Sequence, residues 1–481
     1  MATPEAPLRE FLPNARELAL LFAARGLACV AAWMSGFRAL SDDDYARISI
    51  AQRFAHAPHF DPSGTSWLPA PFWAYGAAFR AFGTGLGVAR ATAIVLSLGA
   101  TVLVYVAARL LGVNRLGALL GATLSCLVLN YSALLGIASV PEVPCAALSL
   151  FSAAALSRAE PSLRGLGAIS LIAACLSRYE AWPIALLFAA FCCSDALRKR
   201  RVIFAGCAAL ALVGPVLWLL LGRLEHGAAL FFIARVTAYR RALGGHDVST
   251  VKRLLEYPWL ALRDEPSVWV VWLISTFIRP RDAYPGRFGR CELALLAMLA
   301  FLMLGSVQDG VPTHHAGRVL LPIWFFGCIA CGYCLARVAT DRARRVSVAV
   351  VVVAMATIPF SPGLVLLDGD FARRSGELAV GAMARQYTSS ALAIDTPDYG
   401  YFAVQAGFGS PLGTSVLDEH DPRRPSANPF ASPQALDRTL RDRNAGFVIV
   451  TKAHAALLDS RCSELWDNAS FALFQCAPGH G

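Results

Sequence analysis

Apolar runs of about 20 residues alternate with short polar turns from Glu17 to Leu367. Each run is long enough to cross ~30 Å of hydrocarbon at 1.5 Å per residue. The pattern predicts about eleven membrane-spanning helices. The first runs from about Glu17 to Phe37, the second from Ala91 to Leu110, the third from Leu116 to Leu135, the seventh from Val202 to Leu221, the short eighth from Ser267 to Ile278 and the eleventh from Val346 to Leu367. Two connections break the rhythm. Residues 41–90 are too long and too amphipathic for a turn, with Arg47, Arg53, Trp67, Trp73 and Phe79 suggesting helices in the interface. Gly222 to Pro266 is a second long loop, whose Ala229–Ile233 run precedes Arg235, Arg240 and Arg241. Beyond Leu367 the spacing changes to short β-type runs at 391–394 and 446–450, with a helical stretch from Pro433 to Asn444.

Basic residues gather in alternate turns: Arg109 with Arg115, Arg158 with Arg164, Arg198 to Arg201, Arg279 to Arg290 and Arg337 to Arg345. This is the positive-inside pattern, and it places the N-terminus in the cytoplasm and the C-terminal tail outside. The chain therefore reads as an all-α polytopic membrane protein, residues 1–367, followed by a small extracytoplasmic α/β domain, residues 368–481. Composition agrees, with 56% hydrophobic and 16% charged residues over 481 positions and a mean hydropathy of +0.52. The net charge of +10 does not point to nucleic acid, because the basic residues are spread over the cytoplasmic turns and form no single face. The first run lacks a small-residue cleavage site and reads as a retained helix. Most of the 13 cysteines lie in apolar runs, including the pair Cys331 and Cys334; Cys462 and Cys476 lie in the polar tail, where export would permit a disulfide.

Chemistry concentrates at the ends predicted to face outward. Ser41-Asp42-Asp43-Asp44-Tyr45 places three carboxylates beyond the first span. They could be a solvated cap, but acids are disfavoured at a helix C-terminus, and a base or divalent-metal ligand explains them as well. Glu142 lies between Pro141 and Pro144 with no basic neighbour, Arg178 and Glu180 flank Tyr179, and Arg318 follows His314 and His315. Carboxylates near a bilayer call for a cation, a metal or an acceptor, while arginine grips phosphate oxygens in a fork. Asp42, Asp44 and His314 are the candidate metal ligands. Arg235, Arg240, Arg241, Lys252 and Arg253 suit anionic headgroups or a carrier diphosphate. The sequence contains no G-x-x-x-x-G-K-[ST] or G-x-S-x-G, and Gly83–Gly87 reads as a turn.

Asp42-Asp43-Asp44-Tyr45-Ala46-Arg47-Ile48, Trp67-Leu68-Pro69-Ala70-Pro71, Pro141-Glu142-Val143-Pro144, Arg178–Trp182 and Arg318–Pro322 occur in an order that resembles the GT-C superfamily of polytopic glycosyltransferases. The closest resemblance is to the branch of bacterial protein O-mannosyltransferases and the lipid A aminoarabinose transferase. Relatives more often carry Asp-Glu in place of three Asp, and His-Pro-Pro or Lys-Pro-Pro in place of Trp-Leu-Pro. The resemblance implies a polyprenyl-phosphate-linked sugar donor, a cell-envelope acceptor, and a site at the outer face of an inner membrane. It implies catalytic residues among Asp43, Asp44 and Asp42, and substrate contacts from Glu142, Arg178, Glu180, Arg318, Trp67 and Tyr45. A lipid-linked-sugar flippase or a non-catalytic envelope scaffold are the rival expectations; a transporter would place charges in mid-span and show related halves.

Overall fold

The computed structural model describes residues 8–242, 249–266, 268–270, 287–308, 315–338, 373–421, 423, 428–458 and 462–476. Helix α1 (Ala15–Met34) begins with a capping box. The Asn14 side chain accepts from the Glu17 amide at 2.9 Å, and Glu17 accepts from the Asn14 amide at 2.8 Å. With α4 (Leu86–Leu110), α9 (Ala181–Lys199), Phe288–Val307 and Ala316–Arg337, α1 is one of five described helices long and apolar enough to span a membrane.

Three expected spans differ from straight helices. The seventh is broken into α10 (Val202–Ala211) and α11 (Val213–Glu225), bent by 44°. Pro215 causes the break: it has no N–H to donate, and its ring crowds the carbonyl of Ala211. The third divides into α5 (Arg115–Leu127) and α6 (Asn130–Leu135), because the Glu265 carboxylate accepts the amides of Asn130 and Tyr131 at 3.0 and 2.6 Å. A helix start is thereby fixed inside the apolar run. The fourth, α7 (Glu142–Ala155), has 14 residues, about 21 Å of helix. Apart from 268–270, the expected eighth span lies outside the described residues, as does the eleventh.

Small residues let these helices approach closely. A side chain on Gly332 would lie 2.3 Å from the Gly117 carbonyl, so α5 and the helix Leu321–Val338 meet backbone to backbone. Arg25, midway along α1, is fully buried and is satisfied by Thr101 and Ser132 from α4 and α6.

Between the first and second expected spans, residues 41–90 form α2 (Asp42–His56) and α3 (Ala70–Phe82). The acid run is thus the first turn of a helix, with Ser41 at its N-cap position, and does not trail from the end of α1. The helix dipole favours anions there, which removes the electrostatic objection to three adjacent acids.

The C-terminal part is built on a five-stranded sheet in the order β2-β1-β3-β5-β4. Strand β1 (Leu392–Ile394) runs parallel to β2 (Thr414–Val416) and β3 (Phe447–Thr451); β5 (Phe471–Cys476) is antiparallel to β3 and to β4 (Cys462–Asp467). Cys462 and Cys476 face each other across the β4–β5 pair and form a disulfide. Helix Tyr401–Phe408 rests on α2, where Gln52 donates to the carbonyls of Ala406 at 3.0 Å and Thr84 at 2.8 Å. The acid-bearing helix is consequently held between the membrane helices and the sheet region.

Candidate active site

The first turn of α2 gives its three carboxylates three different surroundings. Asp44 is fully buried; Arg90 from α4 donates to both of its oxygens at 3.0 Å, and the Ser139 amide donates to Oδ1 at 2.9 Å. Asp42 turns the other way and accepts from Arg374 Nε at 2.9 Å and Nη2 at 2.8 Å. Arg374 also pairs with Glu377 and Asp398 in the C-terminal part. Burial opposes the charge on Arg374, but hydrogen bonds to Asp42 and Asp398 outweigh it and raise its pKa above the ordinary arginine value.

Asp43 lies between these two and is 32% exposed, with Arg318 Nη2 at 3.2 Å. Arg318 is brought there by a turn, Ala316–Leu320, entered through His315 at φ 47°. A side chain at Gly317 would lie 2.1 Å from the Asp264 carboxylate, which would have to swing aside to admit it. Arg318 Nε stands 3.3 Å from Glu142 at the start of α7, and Glu142 is paired in turn with Arg178, which is also paired with Glu180. Five of the predicted positions, Asp43, Arg318, Glu142, Arg178 and Glu180, are therefore in one continuous ion-pair chain.

Arg47 completes the group. It follows Asp43 by one helical turn, is 7% exposed, and its guanidinium lies over the ring of Trp67 at 4.5 Å and of Phe72 at 5.8 Å. Its Nε, Arg318 Nη1 and Glu142 Oε2 are buried without a hydrogen-bond partner. Buried charged groups with unused hydrogen-bonding capacity are costly, and two of these three atoms are guanidinium donors beside a half-exposed carboxylate. The local chemistry suits an oxyanion.

Other expected residues fall elsewhere. Tyr45 is buried and donates to the Arg373 carbonyl at 3.1 Å, toward the C-terminal part and away from Glu142. Asp42 and Asp44 do not converge on a common cation position, because one is bound to Arg374 and the other to Arg90. His314 lies outside the described residues. On the second long loop, Arg235 donates to the Gly64 carbonyl at 3.2 Å, and Tyr239 on α12 (Phe231–Ala242) approaches Tyr399, with their hydroxyls 3.5 Å apart.

No protein-family model matches the sequence, and no curated protein sequence does. Solved structures do match over nearly the whole chain. ArnT from Cupriavidus metallidurans bound to undecaprenyl phosphate superposes with a TM-score of 0.62 at 14% identity, covering 96% of this chain and 98% of that one. The chain has the GT-C fold. The Archaeoglobus fulgidus oligosaccharyltransferase matches with a TM-score of 0.51 at 12% identity, covering 96% of this chain and 74% of that one. The mycobacterial arabinofuranosyltransferase AftD also gives 0.51, at 15% identity, with 98% and 40% coverage.

Within this GT-C fold, three functional neighbours escaped sequence reasoning. Arg90 is one of two cations in an otherwise apolar helix; Arg109 lies at the far end and Arg90 at the same end as the acids, and that placement was its signal. Arg47 had a clearer one, standing four residues after Asp43. Arg374 follows the last apolar run without any pattern to mark it.

Proposed function

We propose that this chain transfers a sugar from a polyprenyl-phosphate-linked donor to a hydroxyl of a cell-envelope glycan, lipid or protein, at the extracytoplasmic face of an inner membrane and with inversion. The observation that carries the reading is a half-exposed carboxylate, Asp43, next to Arg47 and Arg318, each with a buried guanidinium nitrogen left unpartnered. The ArnT structure with undecaprenyl phosphate supports the donor class, since it shares this fold end to end.

In this scheme the acceptor hydroxyl approaches from the aqueous side. Asp43 removes its proton as the oxygen attacks the anomeric carbon. The bond from that carbon to the phosphate oxygen breaks on the opposite face, so a single displacement inverts the configuration. The departing lipid phosphate keeps the electron pair, and Arg47 and Arg318 stabilise the growing charge. Glu142, Arg178 and Glu180 hold Arg318 and one another in place. The arginines thereby fill the role for which a divalent cation on Asp42, Asp44 and His314 was the alternative expectation. Trp67 acts through the face of Arg47.

The test is transfer by purified protein from a set of polyprenyl-phosphate sugars, together with mass analysis of envelope glycans and glycolipids in cells lacking the protein. We expect loss of one modification in cells and its restoration by the wild-type chain but not by Asp43→Asn. Restoration by Asp43→Asn at normal protein level would sink the enzyme reading in favour of a flippase or scaffold.

A further inference from the structure

We infer that Asp61, Glu225 and His226 form a binding site for a divalent cation of the zinc type, separate from the ion-pair chain around Asp43. Among the described residues their ligand atoms lie within 4.8 Å of one another, although they come from two stretches distant in sequence. Asp61 belongs to the connection between α2 and α3, and Glu225 ends α11 with His226 just after it.

Two of the three side chains are already set. Asp61 is 4% exposed, and one of its oxygens, Oδ1, accepts from the Ser63 amide at 3.2 Å and the Gly64 amide at 3.0 Å, which leaves the Ser63 hydroxyl proton for the Trp67 carbonyl. The other oxygen, Oδ2, is left to face His226 Nε2 at 3.0 Å. The imidazole is held by stacking on Phe231, with centroids 3.9 Å apart and planes 18° from parallel. Ligands about 2.0 to 2.2 Å from a tetrahedral zinc ion stand roughly 3.3 Å from each other, so Asp61 and His226 are close to a coordination edge as they stand. The ordered donors on Oδ1 do for the carboxylate what a supporting shell does in a metal site.

Glu225 supplies the third ligand. It is exposed and makes no hydrogen bond or ion pair among the described residues, so its side chain is free to close on the cation. One imidazole and two carboxylates carry excess negative charge, and this donor set suits a borderline divalent ion with a fourth position for water. A bound cation would join the loop ahead of α3 to the end of α11. Ser63, anchored on Asp61, donates to the Trp67 carbonyl at 3.0 Å, and Trp67 covers Arg47. The cation would thus brace the wall of the candidate active site without touching it.

The test uses the full-length chain in detergent, stripped with a chelator and titrated with zinc by calorimetry and with cobalt(II) by visible absorption. We expect one saturable site, ligand-field bands from cobalt, and affinity weakened roughly 100-fold or more in both His226→Gln and Asp61→Asn. Zinc should raise the melting temperature of the wild type but not of His226→Gln, which should match the stripped wild type without metal. Equal binding by wild type and His226→Gln, or no saturable binding up to roughly 100 μM zinc, would overturn the site. Neither measurement involves sugar transfer, so the result stands apart from the proposed activity.

Discussion

Three adjacent carboxylates repel one another when they face one point, and this chain avoids that by giving each a different guanidinium: Arg374 for Asp42, Arg318 for Asp43 and Arg90 for Asp44. The division makes the three substitutions distinguishable. Asp43→Asn should lower transfer by about 10²- to 10⁴-fold, the usual effect of losing a positioned base, with little change in melting temperature. Asp44→Asn removes the fully buried carboxylate that pairs with the half-buried Arg90 and should cost about 3 kcal/mol, seen as poor yield and a lowered melting temperature. The opposite assignment of these two phenotypes would make Asp44 the base and Asp43 the strut. The acid run itself was legible in the sequence because three consecutive charges beside apolar runs stand out. Its division was not, since Arg90 and Arg374 lie 46 and 332 positions from their partners and no local periodicity connects them.

At the level of elements, α2 decides the geometry of the site, and it is clamped at its first turn by a residue of the C-terminal part. Arg374→Ala would leave Asp42 and Glu377 half-buried without a cation and should loosen that turn by roughly 2 kcal/mol. Amide exchange at Asp44, Ala46 and Arg47 would then lose more than tenfold in protection, while helices away from α2 keep theirs. The clamp also has a pH dependence with a definite sign. Burial works against the ionised form of Asp398, but the Arg374 hydrogen bond and the Gly400 amide prevail and hold its pKa below the ordinary aspartate value. A depressed carboxylate contributes stability above its unfolded pKa, about 3.9, and loses it as pH falls through the folded value. Protection of the first turn of α2, corrected for intrinsic exchange, should therefore be flat from neutral pH to about 4 and fall below it. Loss already between pH 7 and 5 would place the sensitive group elsewhere. The apolar period revealed the long helices directly, but α2 escaped as the carrier of the acids because its polar first turn adjoins an apolar run and resembles an ordinary loop. The breaks at Pro215 and before Asn130 differ in the same respect: proline is visible in a sequence, whereas the Glu265 carboxylate that starts α6 comes from a residue 135 positions away.

For the whole molecule, the parity of the spans decides whether the proposed site and the disulfide face an oxidising compartment. In the proposed orientation the start of α1 is inside, as the basic turns suggest; the acid turn of α2 then faces out, and an odd number of crossings would put the C-terminal part on that same side. The contact between Asp42 and Arg374 requires that agreement, since both ends of one ion pair must lie on one face of the membrane. Cys462 and Cys476 add a chemical reporter: paired across neighbouring strands they persist only where thiols are not kept reduced. A reporter fused after Gly481 should be active only in its exported form. Thiol tagging of denatured, unreduced protein from cells should count two fewer free cysteines than after reduction, and Cys462→Ser should leave Cys476 open to tagging. Cytoplasmic reporter activity together with a full thiol count would place the C-terminal part inside. It would then carry the acid turn with it through Arg374, contradicting the charge pattern along the chain and an extracytoplasmic acceptor in one result.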